Sequence, residues 1–160
     1  TSSYCRPHPR STHIEAKACG HYINSILATT EAKDAGYDEA LLLDGDGFLA
    51  EGPGANLFFE KDGVLYTPQL GNILPGITRA TVLYLAYQAG MEVREGRFTP
   101  EALQQADSAF YCGTAAEVVG IASVDDKPFG KSWEASLGHV LQKKYAALVR
   151  RAVAEPSLLD

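Results

Sequence analysis

Three groups in this chain could act together on one small molecule. Lys17 stands in Glu15-Ala-Lys-Ala-Cys-Gly-His-Tyr22, among small uncharged neighbours. Glu51 opens the Gly/Pro-rich stretch Glu51-Gly-Pro-Gly-Ala-Asn56, and Leu74-Pro-Gly-Ile-Thr78 is a glycine turn that opens a helix. An amine that condenses with an aldehyde must be neutral, so it must be unpaired and partly desolvated. A carboxylate beside a ring nitrogen keeps that nitrogen protonated. The first amides of a helix have no partner within it and, with the Thr78 hydroxyl, offer a seat for a phosphate.

Each group also has a plainer reading. Alone, Lys17 is a solvated lysine ahead of a helix, Glu51 a polar residue at a strand end, and Thr78 an N-cap. Together they are what a protein needs to hold pyridoxal 5'-phosphate (PLP), a flat cationic ring with an aldehyde at one corner and a phosphate at another. Gly113-Thr114-Ala115 is a second small-residue turn, able to give N–H and hydroxyl donors to a phosphate or a substrate carboxylate. Tyr22, on the first helical turn after Lys17, can bring its phenol to the same site or fill the core. Cys5, His8, His13, Cys19 and His21 fall close together, but their spacings match no compact zinc pattern and no Cys/His pair follows downstream. No metal is expected.

The elements that must position these groups are legible from period and punctuation. Residues 1–6 read as a strand and Arg6 to Thr12, with two prolines, as a loop. Tyr22, Ile23, Ile26, Leu27 and Ala32 give helical spacing over Cys19 to Lys33, closed by Gly36. Ala40-Leu-Leu-Leu43 is a buried strand, Asp44-Gly-Asp-Gly47 a turn, and Phe48 to Glu51 a second strand. Asn56–Glu60 and Val64–Thr67 flank Lys61-Asp62-Gly63 as a hairpin. Thr78 to Ala89 is a helix with Ile77, Val82, Leu85 and Ala86 on one face, ended by Gly90. Met91 to Glu95 is a short strand, and Thr99-Pro100 starts another helix. Strands follow at Ser108 to Cys112 and Val118 to Val124, with Asp125 and Asp126 as turn residues. A last helix spans Trp133 to Val153, carrying Lys143, Lys144, Arg150 and Arg151 toward its C-terminus.

Composition bounds the function. The 160 residues suffice for one domain with a core. Net charge is -6, from 14 basic and 20 acidic residues, which argues against a nucleic-acid partner. No apolar run approaches the roughly 20 residues of a membrane helix, and the first residues hold no signal-peptide core. Three cysteines without framework spacing suggest free thiols in a reducing compartment. Thr1-Ser-Ser-Tyr-Cys has no initiating Met and reads as the middle of a strand, so the chain is expected to be a piece of something longer.

One long pattern ties the groups together: acid, spacer, Asn, apolar, aromatic, then apolar-x-Thr, then apolar-x-Gly-apolar-x-basic. It is carried by Glu51, Asn56, Leu57, Phe58, Leu65, Thr67, Leu74, Gly76, Ile77 and Arg79. In this the chain resembles the fold-type IV (class IV) PLP-dependent aminotransferases. Ala16-Lys17-Ala-x-Gly20-x-Tyr22, Gly36-Tyr-Asp-Glu39, Leu43-Asp44, Leu74-Pro-Gly-Ile-Thr78 and Gly113-Thr-Ala-Ala-Glu117 are most similar to the branched-chain amino acid branch. Cys19 and His21 depart from it, standing where Gly and Asn are common, close to the lysine.

The resemblance implies an α/β (α+β) fold, the large C-terminal domain of that family: a mixed β-sheet pseudo-barrel with flanking helices over residues 1–160. The family's smaller N-terminal domain is missing from this stretch. It implies a PLP site of Lys17, Tyr22, Glu51, Asn56, Leu74, Gly76, Ile77, Thr78, Gly113 and Thr114, with Thr114 and Ala115 at the substrate. It further implies transamination between Leu, Ile or Val and 2-oxoglutarate, with Lys17 moving the α-proton, in a cytoplasmic homodimer. D-amino acid aminotransferases and aminodeoxychorismate lyases share the lysine, the acid and the pattern, and stay open as alternatives. So does a catalytically incompetent isolated domain.

Overall fold

The computed structural model describes the backbone of residues 1–154 and the side chains of residues 1–150. In chain order the elements are α1 (His21–Asp34), β1 (Leu42–Leu43), β2 (Leu49–Glu51), β3 (Asn56–Lys61), β4 (Val64–Pro68) and α2 (Ile77–Gln88). Then come β5 (Val93–Gly96), α3 (Pro100–Gln104), β6 (Ser108–Gly113), β7 (Glu117–Ile121), β8 (Ser123–Val124), β9 (Lys127–Pro128), a 3-10 turn (Trp133–Ala135) and α4 (Leu137–Ala154). β1 to β7 form one sheet that branches at β3, which pairs with β2, β4 and β6. Every pairing in it is antiparallel except β4 with β5. Parallel neighbours need a crossover, and α2 is that crossover. The result is the expected mixed sheet with flanking helices.

β3 is the spine because it is covered on both faces. Asn56 to Glu60 are all buried, with no polar alternation. Leu57 and Phe59 pack on one side with Leu103, Ala109 and Tyr111. Phe58 packs on the other with Leu65, Val82, Ala86, Phe110 and Leu141, beneath α2 and α4. The β3–β6 register sets Phe58 opposite Phe110, with rings stacked 5.0 Å apart. The hairpin turn is a two-residue one: Asp62 and Gly63 both hold positive φ, 50° and 76°, which suits the twist of the strands.

Several expectations are corrected. Residues 1–6 make one parallel bridge, Cys5 to Leu43, with the Ser2 and Arg6 amides bonded to the Leu41 and Leu43 carbonyls. Pro7 and Pro9 follow at once and end any ladder. The apolar run Ala40–Leu43 yields only a two-residue strand, because its register with β2 shifts between Leu42 and Leu43. Ile77 is 84% exposed; the inward face of α2 is Thr78, Arg79, Val82 and Ala86. Thr99 precedes α3 without a capping side-chain bond. The run Val118–Val124 breaks after Ile121, and Asp125, at φ 51°, turns β8 into β9. The last helix starts only at Leu137, where Glu60 Oε2 accepts its N–H at 2.8 Å and Ser136 Oγ that of His139 at 3.1 Å. Lys143, Lys144 and Arg150 are exposed on it; the Arg151 side chain lies outside the described residues.

Candidate active site

One cavity of about 430 Å³ gathers residues from well-separated stretches of the chain. Arg6 and the Glu15–Tyr22 segment form one wall. The β2–β3 turn brings Glu51 to Asn56, the start of α2 brings Leu74 to Thr78, and the end of β6 brings Cys112 to Thr114. Every residue expected at the site lines this cavity except Ala115, which is exposed and outside the lining.

Glu51 is the electrostatic centre. It ends β2, is 4% exposed, and its carboxylate is ringed by donors. Asn56 Nδ2 donates to Oε2 at 2.8 Å, and the Leu74 N–H reaches both oxygens at 3.1 and 3.2 Å. Arg6 Nε lies 2.9 Å from Oε1, near enough for Coulomb attraction yet off the angle of a hydrogen bond. Burial outweighs these and pushes the Glu51 carboxyl up to about 7; Arg6, the Leu74 amide, Arg79 and Lys17 pull it back only in part. A cation brought to this carboxylate would restore its charge.

Asn56 acts as a bracket. The same Nδ2 that serves Glu51 also donates to the Leu74 carbonyl at 2.9 Å, joining strand β3 to the turn before α2. A Cβ at Gly76 would collide with Asn56 Oδ1, so only glycine lets this turn close. Two other residues of the long pattern are braces away from the cavity. Thr67 Oγ1 donates to the buried Leu57 carbonyl at 2.7 Å, and Arg79 ties α2 to the Pro68 carbonyl and Glu95.

The α2 N-terminus is open. Gly76 is its N-cap, at ψ 135°, and no side chain caps it. The amides of Ile77 and Thr78 therefore face the cavity without helical partners, the requirement for anion binding. Thr78 is buried beside them and lies inside the helix, one residue past its start, which sets aside the plain N-cap reading. Lys17 joins no ion pair among the described residues. It is exposed, however, and Tyr22 is 44% exposed, so this wall does not itself desolvate the amine as expected.

Arg6 and Cys112 are lining residues that the sequence did not flag for this site, and His21, noted in the sequence only as a departure close to the lysine, lines it too. Arg6 gave no local signal, since its partner stands at position 51. Cys112 is buried on β6, and burial pushes its thiol up to about 12, so it is a neutral wall. Among the described residues no three of His, Cys, Asp and Glu gather in metal-binding geometry, and Cys5, Cys19 and Cys112 are free.

The model of the family described as "Amino-transferase class IV" matches residues 1–124. The chain belongs to the class IV aminotransferases. It is 46% identical over 149 residues to the branched-chain-amino-acid aminotransferase of Pseudomonas aeruginosa, covering 93% of this chain and 48% of that protein. It superposes at TM-score 0.89 and 43% identity on a branched-chain amino acid aminotransferase (T.th.) complexed with N-(5'-phosphopyridoxyl)-L-glutamate, covering 92% of this chain and 50% of that one. The PLP form of the Thermobaculum terrenum branched-chain enzyme gives TM-score 0.90 at 39% identity, with coverage of 92% and 49%. This class IV chain thus spans about half the length of the curated relatives it matches. Among the described residues no helix is long and apolar enough to cross a membrane.

Proposed function

We propose that this chain is the cofactor-binding half of a PLP-dependent branched-chain amino acid aminotransferase, exchanging an amino group between Leu, Ile or Val and 2-oxoglutarate. One observation carries the reading: Lys17, buried Glu51 and the open N-terminus of α2 line a single cavity. The residues present fit PLP. The free amides and the Thr78 hydroxyl suit a phosphate, and a protonated ring nitrogen is the cation that Glu51 lacks. The relatives' names supply the substrate class.

When bound, PLP supplies an aldehyde for the amino group and a cationic ring that draws electrons from the α-carbon. The Ile77 and Thr78 amides and Thr78 Oγ1 would hold the phosphate, with Leu74 and Gly76 shaping the turn and Gly113 and Thr114 adding donors. The Glu51 carboxylate, held in place by Arg6 and Asn56, would keep a proton on the ring nitrogen. Tyr22, which lines the cavity, would offer its hydroxyl to the cofactor as a hydrogen-bond donor. Lys17 Nζ would be the base that takes the proton from the substrate α-carbon and the acid that returns it. Thr114, which lines the cavity, is assigned to the substrate carboxylate; Ala115 lies off the lining and is given no such role.

A second reading concerns the 160 residues alone: a folded but inert domain. It is favoured by the exposure of Lys17 and by Ile23 and Ile26 on α1, exposed at 66% and 62%. In the full-length protein this surface is assigned to the remaining half and to a second copy, as a cytoplasmic homodimer. A panel of L- and D-amino donors with 2-oxoglutarate, run on the full-length protein, tests the function. Fastest turnover with Leu, Ile and Val supports it; preference for a D-amino acid, or none for any donor, defeats it.

A further inference from the structure

Resting on the PLP reading, we propose that His21 is a positioning residue that fixes the peptide unit entering Lys17. His21 is the first residue of α1 and lines the cavity. Its Nδ1 lies 3.1 Å from the Ala16 carbonyl oxygen and its Nε2 2.7 Å from Thr12 Oγ1. A carbonyl oxygen only accepts, so Nδ1 carries a hydrogen and, in the neutral ring, the Thr12 hydroxyl donates to Nε2. The imidazole therefore clamps both ends of the Thr12–Ala16 loop to the first turn of α1.

The Ala16 oxygen belongs to the planar peptide unit that ends at the Lys17 Cα. Holding that plane sets the direction in which the lysine side chain leaves the backbone. Little else holds it: Ala16 N–H donates to the His13 carbonyl at 3.0 Å, and the His21 and Tyr22 amides close turns onto Ala18 and Cys19. None of these bonds involves the Lys17 backbone. A long, exposed lysine on a loosely held loop loses much freedom on capturing a ligand. The clamp removes part of that loss in advance.

Two substitutions separate the two contacts. The amide nitrogen of Asn is attached at Cγ, as Nδ1 is, so His21→Asn keeps the Ala16 bond and gives up Thr12. The amide of Gln lies one atom further out, near the place of Nε2, so His21→Gln does the reverse. The full 160-residue chain is used in both forms, with the thermal midpoint recorded for each. Nitrogen NMR of the PLP-free wild type should find the imidazole proton on Nδ1; residence on Nε2 overturns the clamp. Added PLP is then fixed by borohydride, and the rate of its attachment to Lys17 is followed by peptide mapping. The Asn variant should stay within about twofold of wild type and the Gln variant fall about fivefold to tenfold, the effect of one ordering hydrogen bond. Equal rates in all three, or Asn as slow as Gln, overturn the proposal. Thr12→Val stands in where Gln unfolds: it leaves the Ala16 bond intact and should leave the rate unchanged, and a fivefold loss there also overturns it. Failure of the wild type to take up PLP defeats the functional reading alone, since the imidazole spectra still decide the clamp.

Discussion

Replacing Glu51 with Gln should flatten the pH dependence of this chain's stability. Burial raises the folded-state carboxyl from its ordinary value of 4.5 to about 7. Below the ordinary value both folded and unfolded chains hold the proton. Between the two values only the folded chain holds it, so the unfolding free energy falls as pH rises, and the fall is complete above the folded value. The interval is about 2.5 units at 1.36 kcal/mol each, which gives roughly 3 kcal/mol. Gln cannot titrate, and its amide against Arg6 adds only a pH-independent offset. Urea unfolding of both proteins from about pH 4.5 to about pH 8 isolates the Glu51 contribution as the difference between them. That difference, wild type minus variant, should decline by roughly 3 kcal/mol across the window. A flat difference would mean that the carboxyl is not raised by burial. A rising one would mean that Arg6 and the Leu74 amide more than offset burial, and the electrostatic account would be wrong.

Arg6→Met removes the largest influence that lowers the Glu51 carboxyl, so the decline in stability should continue above pH 7; an unchanged pH profile in the same urea series would exclude the pairing. Gly76→Ala drives a methyl into Asn56 Oδ1 and should cost roughly 1–3 kcal/mol in thermal or urea unfolding, with weaker PLP binding. A variant as stable as wild type would show that the bracket yields freely. Thr78→Val should weaken PLP binding about fivefold to tenfold in a fluorescence titration while leaving pyridoxal, which lacks the phosphate, unaffected. Equal weakening of both ligands would place Thr78 away from the phosphate.

Local chemistry made part of this fold legible in advance. Asp62-Gly63 between two β-rich runs dictates a tight hairpin, and Pro75-Gly76 ahead of an apolar period dictates a helix start. Residues whose roles depend on distant partners were not legible. Arg6 sits ahead of Pro7 like any loop arginine, and only the fold lays its segment along β1 and so against Glu51. Ile77 fits the apolar period of α2, but the buried face of the helix runs through Thr78, Arg79, Val82 and Ala86, and Ile77 faces outward. Ala115 follows Thr114 in sequence, yet the chain turns outward between β6 and β7 and leaves it off the cavity lining. Thr67 and Arg79 belong to the same pattern as Glu51, and their work as braces is visible only from what they bond.

The most direct test of the whole account is covalent. Mixing the chain with PLP, reducing with borohydride and mapping the labelled peptide reports which amine meets the cofactor's aldehyde. The account predicts a single labelled site, Lys17, lost in Lys17→Ala. Label spread over Lys33, Lys61 and Lys143 with none concentrated on Lys17 would contradict it.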